Sequence, residues 1–280
     1  MSDLLRAGFC RYGKSVVFWL MLIFSLIFGL IMGATADSSE SFSGGSFMVL
    51  FLITAIQISL IAGTEFSNGI VRNKLIAGHG KGKVFLSELL LSLIFTTVLF
   101  IVYYGAFIIF NTGIFRNTEA GDIAAVAVGI WLMHLSFAVI CTAVCFFIPH
   151  HTAIAAIVNI ILIIVMQFSA IVLYDKFSEP ERTYVYLPDE TGTYYAADNG
   201  PNPYYIPRDS VKYAVLHAAY YLMPMGQSVD YNWALSELWY NRPPNEKYME
   251  DLKTAPVHSL AAIGLFTAAG LIYFRRKNLR

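Results

Sequence analysis

"VFLSELLLSLIFTTVLFIVYYGAFIIF" (Val84–Phe110) runs for 27 residues with one charge, Glu88, near its start. About 20 mostly apolar residues suffice for a helix to cross the hydrocarbon core of a bilayer. A helix buried on one face of a soluble domain would show polar positions at the helical period, and this run does not. Five more runs read the same way, at 16–34, 46–64, 122–148, 153–174 and 257–274. The composition agrees: 57% of the 280 residues are apolar and 14% are charged, against about 25% charged in an average domain. The chain therefore reads as an all-α membrane protein with six transmembrane helices. The third and fourth spans are long enough to tilt or to project past the bilayer.

The formal net charge is zero, so the total says nothing about partners, but the placement of the cations does. Arg6, Arg11 and Lys14 precede the first span. Arg72, Lys74, Lys81 and Lys83 lie between the second and third, and Arg275, Arg276, Lys277 and Arg280 follow the last. The short loops at 35–45 and 111–121 hold a single cation, Arg116. Cytoplasmic loops carry the excess of Lys and Arg. Both termini, the 65–83 loop and the 149–152 turn are therefore expected in the cytoplasm, and 175–256 outside. Residues 1–15 form an interfacial segment, 16–174 the first five spans, 175–256 an extracytoplasmic region, and 257–280 the last span with a basic tail. "GATAD" (33–37) imitates a signal-peptide cleavage site, but the apolar run before it exceeds the usual 7–15 residues or so, so the first span is expected to stay. "LLRAGFCRYGKS" (4–15) mixes apolar and basic residues as an interfacial helix does, with Gly8 and Gly13 weakening it.

The three cysteines are Cys10, Cys141 and Cys145. None lies in 175–256, so no disulfide framework holds that region. Cys141 and Cys145, four apart on one helix face, read as small packing residues rather than a metal pair. The outer region holds twelve of the seventeen tyrosines, with Trp233 and Trp239. "TYVYLPDETGTYYAA" (183–197) reads as strand, turn and strand, and "DNGPNP" (198–203) as a second turn. "DSVKYAVLHAAYYLM" (209–223) opens on helix-cap residues, places Val211, Ala214, Val215, Ala218 and Leu222 at apolar positions, and is limited by Pro224. "DYNWALSELWY" (230–240) is a further short helix before Pro243-Pro244. A small mixed cap is expected, with its tyrosines at the lipid interface.

Several chemistries are absent from the sequence. No G-x-x-x-x-G-K-[ST] occurs, and "GHGKGKV" (78–84) lacks the glycine spacing that cradles phosphates. No H-E-x-x-H or G-x-S-x-G occurs either. His150-His151 follows Pro149 in a turn with no acidic or thiol partner nearby in sequence, and reads as a plain turn rather than a metal site. Within the spans, Gln57, His134, Asn159 and Gln167 are the polar candidates. Intramembrane polar residues point to function, while amides also serve as ordinary interhelical hydrogen-bond partners. No span has Asp, Glu, Lys or Arg in its central third, which argues against a proton-coupled carrier. Asp122 and Glu88 lie near span ends, where water is expected to reach them.

"EFSNGIVRNKLIAGHGKGK" (65–83) separates the second and third spans. Within it, "NGIVRNKLIAG" (68–78) predicts an amphipathic helix of about two turns, with Ile70, Val71 and Leu75 on one side. Gly78 ends it and "HGKGK" returns flexibly to the third span. A free loop needs no apolar face, so this helix has something to dock on; the plainer reading is a basic anchor on lipid.

The same stretch resembles the signature between the second and third spans of ABC-2 type transporter permeases, Glu-aromatic-x-x-Gly-Thr-x-Arg-Asn-Lys-Leu. Glu65, Phe66, Gly69, Arg72, Asn73, Lys74, Leu75 and Gly78 match it, and Ile70 stands in place of the threonine. "RYGKSVVFWLML" (11–22) and "LFTAAGLIYFRRKNLR" (265–280) resemble the start of that family's first span and its ending. The resemblance implies a coupling helix that fits a cleft on a separate cytoplasmic ATPase, which would carry ATP and Mg; no cofactor is implied on this chain. Glu65 would anchor the end of the second span. Arg72 and Lys74 would meet the ATPase, and Leu75 and Ile76 would fill its groove; Gly69 and Asn73 belong to the same coupling stretch. The implied protein is a non-enzymatic permease subunit of the bacterial cell membrane, paired with a second copy or a related permease and binding no nucleic acid. It would export an amphipathic peptide, antibiotic or lipid-like substrate along a path lined by Gln57, Asn159 and Gln167. Two rivals stand beside it. One is a sensor or immunity protein that binds a partner and moves nothing. The other is a metal-dependent membrane enzyme using His134, His150, His151 and Glu65.

Overall fold

The computed structural model describes residues 1–35, 45–110, 120–148, 152–188, 194–239 and 246–277. The chain order is α1 (Ser2–Lys14), α2 (Val16–Thr35), α3 (Gly45–Ser67), α4 (Ile70–Ile76), α5 (Lys81–Phe110), α6 (Ala120–Phe147), α7 (Thr152–Ser178), β1 (Arg182–Pro188), β2 (Tyr194–Pro201), α8 (Val211–Leu222), α9 (Pro224–Trp239) and α10 (Glu246–Arg276). Among the described residues six helices are long and apolar enough to cross a membrane: Val16–Thr35, Phe47–Ser67, Lys81–Phe110, Ala124–Phe147, Thr152–Lys176 and Thr254–Arg276. They correspond one for one to the six runs read from the sequence, and the chain is an all-α membrane protein. Much of the 35–45 and 111–121 loops, Arg116, His150-His151, the turn between β1 and β2, Pro243-Pro244 and Arg280 lie outside the described residues.

α3 and α6 form the buried centre, with Phe47, Phe51 and Ile58 packed on Met133, Phe137 and Cys141, and with Ile163 of α7 closing the cluster. Cys141 and Cys145 are free thiols inside this core. The other side of the bundle works differently. Ser25, Gly29 and Gly33 repeat every four residues along α2 and are all buried. A Cβ on Gly29 would collide with the Tyr103 carbonyl oxygen, and one on Gly33 with that of Phe107. α2 and α5 thus pack backbone to backbone through a small-xxx-small stripe. The opposite face of α2 exposes Ile23, Ile27 and Ile31, and α7 exposes Ile157, Ile161, Ile164 and Phe168, as lipid-facing helices require.

α1 is a continuous helix despite its two glycines. Leu4, Gly8 and Tyr12 are its buried residues, one helical face that lies on α5. Leu91 fills the space beside Gly8, and the Tyr12 ring stacks on Phe95 at 4.1 Å.

The region after α7 is ordered as a cap. β1 and β2 pair antiparallel, with Val185 opposite Ala197 and a bulge between Thr183 and Tyr184. The two strands of the strand–turn–strand reading are present, but "DNG" is not a turn: residues 198–200 continue β2, and Gly200 takes φ 100° there. The turn falls instead at Asn202, whose amide donates to the Glu179 carboxylate and the Pro180 carbonyl, each at 2.9 Å. Ser210 caps α8 by accepting from the Tyr213 amide at 3.1 Å. Pro224 ends α8 and also opens α9, six residues before the predicted helix start; proline is well placed in a first turn, where its missing N–H is no loss. α10 likewise begins ahead of its apolar span and passes through Pro256. The tyrosines are not all interfacial. Tyr220, Tyr221 and Tyr231 are buried. The Tyr231 hydroxyl sits where a side chain at Gly129 would otherwise be, and so seats α9 on α6. Tyr184 and Tyr204 are exposed.

Gly29→Val is expected to lower stability by about 1–3 kcal/mol, because the new side chain meets backbone that cannot move aside. Gly105→Ala, which meets nothing within 4 Å, is expected to leave it unchanged. Thermal unfolding in detergent compares the two.

Candidate functional site

α3 and α4 are separated by two residues. Gly69 adopts φ 69°, a left-handed conformation that glycine takes without strain, and this reverses the chain tightly enough to start a new helix. Gly78 at φ 88° ends it. The Gly78 amide donates to Leu75 O at 3.0 Å and the His79 amide to Lys74 O at 3.1 Å. That pair of bonds is a Schellman stop, which satisfies carbonyls the helix leaves open. The sequence reading of Gly78 as the end of the helix holds. The flexible "HGKGK" return does not, because α5 already begins at Lys81.

The apolar side of α4 faces the bundle. Val71 is buried against Leu4, Val84, Phe85 and Phe274, with Phe66 and Leu75 packed beside it. Ile70 is half-buried; Arg72, Asn73 and Ile76 are exposed, Ile76 to 73%. Lys74 turns inward. Its Nζ donates to both carboxylate oxygens of Glu65 at 2.9 Å and to Glu88 Oε1 at 2.7 Å. The Arg11 guanidinium pairs with Glu65 as well and reaches Glu88 Oε2 at 3.2 Å. Two cations and two carboxylates thus close a neutral four-membered cluster. It joins α1, the end of α3, α4 and the start of α5.

Both carboxylates are 1% exposed. Water therefore does not reach Glu88, contrary to the expectation from its place near a span end; Arg11 and Lys74 reach it instead. A buried carboxylate alone would carry several kcal/mol of desolvation penalty. Here each accepts from two cations, so the charge is compensated where it sits. Burial pulls the Lys74 ammonium below its usual pKa, and the Glu88 carboxylate opposes that shift.

Other lysines of this end are also spoken for. Lys81 Nζ donates to Lys277 O at 2.6 Å and to Arg275 O at 3.3 Å, at the end of α10. Lys277 Nζ donates to Phe147 O at 3.0 Å, at the end of α6. These close helix C-termini, where cations are favoured. Arg6, Lys14, Arg72, Lys83, Arg275 and Arg276 remain exposed. The surface around α4 is therefore strongly basic, and Ile76 adds an exposed apolar side chain to it.

The three pathway candidates sit in different surroundings. Gln57 is fully buried on α3 and both its amide atoms lack a hydrogen-bond partner among the described residues. Asn159 is also buried, but its Nδ2 donates to Ser59 Oγ at 2.7 Å and lies 3.8 Å from Cys145 Sγ. Residues 57 and 59 point to nearly opposite sides of a helix, so Asn159 ties α7 to α3 and α6 away from Gln57. Gln167 is half-buried on α7. His134 is enclosed by aromatic rings: it stacks on Phe51 at 4.5 Å and has Phe100 at 5.6 Å and Tyr104 at 6.1 Å. Its Nδ1 faces the Ile130 carbonyl at 2.9 Å. Glu65 belongs to the charge cluster, apart from that ring cage. Among the described residues no group of three or more His, Cys, Asp or Glu is placed to hold a metal ion.

The cluster was missed in the sequence because its members are dispersed over 78 positions, from 11 to 88. A signal existed: Glu65 and Glu88 are acids beside apolar runs, and such residues need partners.

Glu88→Gln leaves one excess positive charge in the cluster and is expected to cost about 3–5 kcal/mol. Lys74→Met combined with Glu88→Leu is expected to cost less than the sum of the two single changes, because the pair is removed together. Thermal unfolding of the four proteins in detergent checks the coupling; additive losses would contradict a shared cluster.

No family model matches the chain, and no curated protein matches it.

Proposed function

We propose that the chain is the membrane subunit of an ATP-binding cassette transporter, with α4 as its coupling helix on a separate cytoplasmic ATPase. One observation carries the reading: a seven-residue helix is locked to the bundle by the buried Arg11–Glu65–Lys74–Glu88 cluster while Arg72, Asn73 and Ile76 face outward. A connection between two spans needs neither the lock nor an exposed isoleucine. A rigid knob does need both if force on it is to reach the spans. Pressure on α4 would pass through Glu65 to α3 and through Glu88 to α5.

The sequence supports the same reading. It holds the Glu65-to-Gly78 pattern and has no phosphate-binding loop among its 280 residues. The basic end would face the cytoplasm, as the charge placement favours. Two permeases, identical or related, would pair above two ATPases that carry ATP and Mg. ATP would favour one conformation of the assembly by binding it better. The transported molecule would be an amphipathic peptide, antibiotic or lipid-like compound, and export the direction, in a bacterial cell membrane. The contacts refine the roles expected from the motif. Lys74 and most of Leu75 serve the inside, so Ile76 and Arg72 are the residues for the ATPase. A sensor or immunity protein would make the same contact without ATP-driven flux.

Ile76→Asp with Arg72→Glu is the test, since both side chains are exposed and their loss should leave the melting temperature unchanged. The account expects the co-purified ATPase to fall by about tenfold or more, as loss of about 1.4 kcal/mol at a contact centre gives. Undiminished co-purification and transport would overturn the coupling assignment. A retained complex that moves no candidate compound in the unaltered protein would favour the sensor.

A further inference from the structure

α8 turns the wrong face outward for a helix of a water-exposed cap. Tyr220 and Tyr221 are buried and Tyr213 and His217 half-buried, while Val211 is 80% and Val215 61% exposed, with Ala214, Ala218 and Ala219 exposed beside them. Four of the five apolar positions read from the sequence, Val211, Ala214, Val215 and Ala218, thus lie on the exposed side. The exposed arc carries one charge, Lys212, at its edge.

The contacts of α8 fix where this arc lies. Tyr220 meets Tyr174 with ring centres 6.4 Å apart, and Tyr174 lies two residues inside the end of the Thr152–Lys176 span. Tyr221 meets His258 at 4.9 Å, and His258 lies four residues inside the Thr254–Arg276 span, about 6 Å along that helix. Gln227, just past the bend into α9, donates to Tyr221 O and accepts from Ser259 Oγ, each at 2.6 Å. The α8–α9 bend is therefore held between the ends of two membrane-crossing helices. Both of these helices also expose apolar side chains in the same stretches, Phe168, Ile171 and Val172 on α7 and Val257 and Leu260 on α10. Near the end of α7, Lys176 Nζ lies 5.5 Å over the exposed Tyr204 ring, the pairing of cation and aromatic that marks a headgroup level.

We propose that α8 is an interfacial helix whose Val211, Ala214, Val215 and Ala218 face enters the lipid at the end of the bundle opposite α4. Lipid fits this arc better than a second protein copy. Its side chains are small and lack the Trp, Tyr and Arg anchors that centre protein interfaces. It is also far smaller than the roughly 800 Å² per partner of a stable contact. Lys212 at the edge can extend its ammonium to headgroups while its stem stays on apolar surface. The helix then rests on the bilayer, as interfacial helices do. This inference rests on the membrane-crossing helices and is independent of the transporter reading.

The test is nitroxide scanning of the full chain in phosphatidylcholine vesicles. Cys10→Ser removes the exposed thiol, and Cys141 and Cys145 are buried. Val211→Cys, Ala214→Cys, Val215→Cys and Ala218→Cys are labelled one at a time, with Gly80→Cys, exposed in the loop after α4, as the water-exposed reference. The expected result is a ratio of oxygen to nickel-chelate collisions severalfold above the reference at all four positions. A ratio equal to the reference would place the face in water and overturn the proposal. Shielding from both reagents, with dipolar coupling between labels on two copies, would make it a subunit contact and also overturn it. Variants that keep the parent's melting temperature report on the native fold.

Discussion

Two buried carboxylates set the terms for one end of this molecule. Glu65 and Glu88 lie at the margins of apolar helices with 1% exposure, where an uncompensated charge would be several kcal/mol too costly to keep. The chain answers by bringing Lys74 and Arg11 to them, and neither cation is on the same helix as its acids. α1 must therefore lie along α5, and α4 must follow α3 with only a tight glycine turn between. Gly8, Gly69 and Gly78 make those approaches possible. The cluster is neutral, so it attracts nothing from outside. Arg6, Lys14, Arg72, Lys83, Arg275 and Arg276 around it are exposed, and they make the surface.

Much of the bundle was legible because a bilayer enforces simple rules. Lengths near 20 residues and near-absence of charge revealed six spans, and each has its helix within a few residues of the reading. Glycine turns were legible at Gly78, and the strand pair 183–197 appeared as read. What failed was assignment of faces. The apolar side of α4 was read as a docking face, yet Val71 and Leu75 pack on the chain's own helices. On α8 the sequence marked apolar positions without a face, and the tyrosines are inside and the valines outside. In water, apolar means buried, and the pattern alone gives the face. Beside a bilayer both faces of a helix can be apolar, and the pattern cannot say which meets protein.

Long-range pairing was equally hidden. Nothing near Glu88 in sequence announces Arg11, and Asn159 finds Ser59 a hundred positions away. The small-residue stripe of α2 was visible in principle, since Ser25, Gly29 and Gly33 stand at intervals of four, but its partner on α5 is ordinary backbone. The pathway candidates illustrate the limit from the other side. Polarity inside a span marked Gln57 and Asn159 equally, whereas their surroundings separate them: Asn159 Nδ2 ties three helices, while neither amide atom of Gln57 has a hydrogen-bond partner among the described residues.

The two ends of the bundle thus have distinct chemistry. One gathers α1, α4 and the basic termini of α5 and α10 around a locked helix. The other carries a cap whose tyrosines pack onto α6, α7 and α10 while aliphatic side chains point away. The central claim is that the locked helix serves a separate ATPase. It is tested most directly by affinity purification of the intact chain from its native membrane in mild detergent, with mass spectrometry of what accompanies it. The account predicts a stoichiometric protein carrying a phosphate-binding loop. Recovery of the chain with lipid alone would contradict it, and would leave the basic surface around Ile76 as an anchor on the membrane.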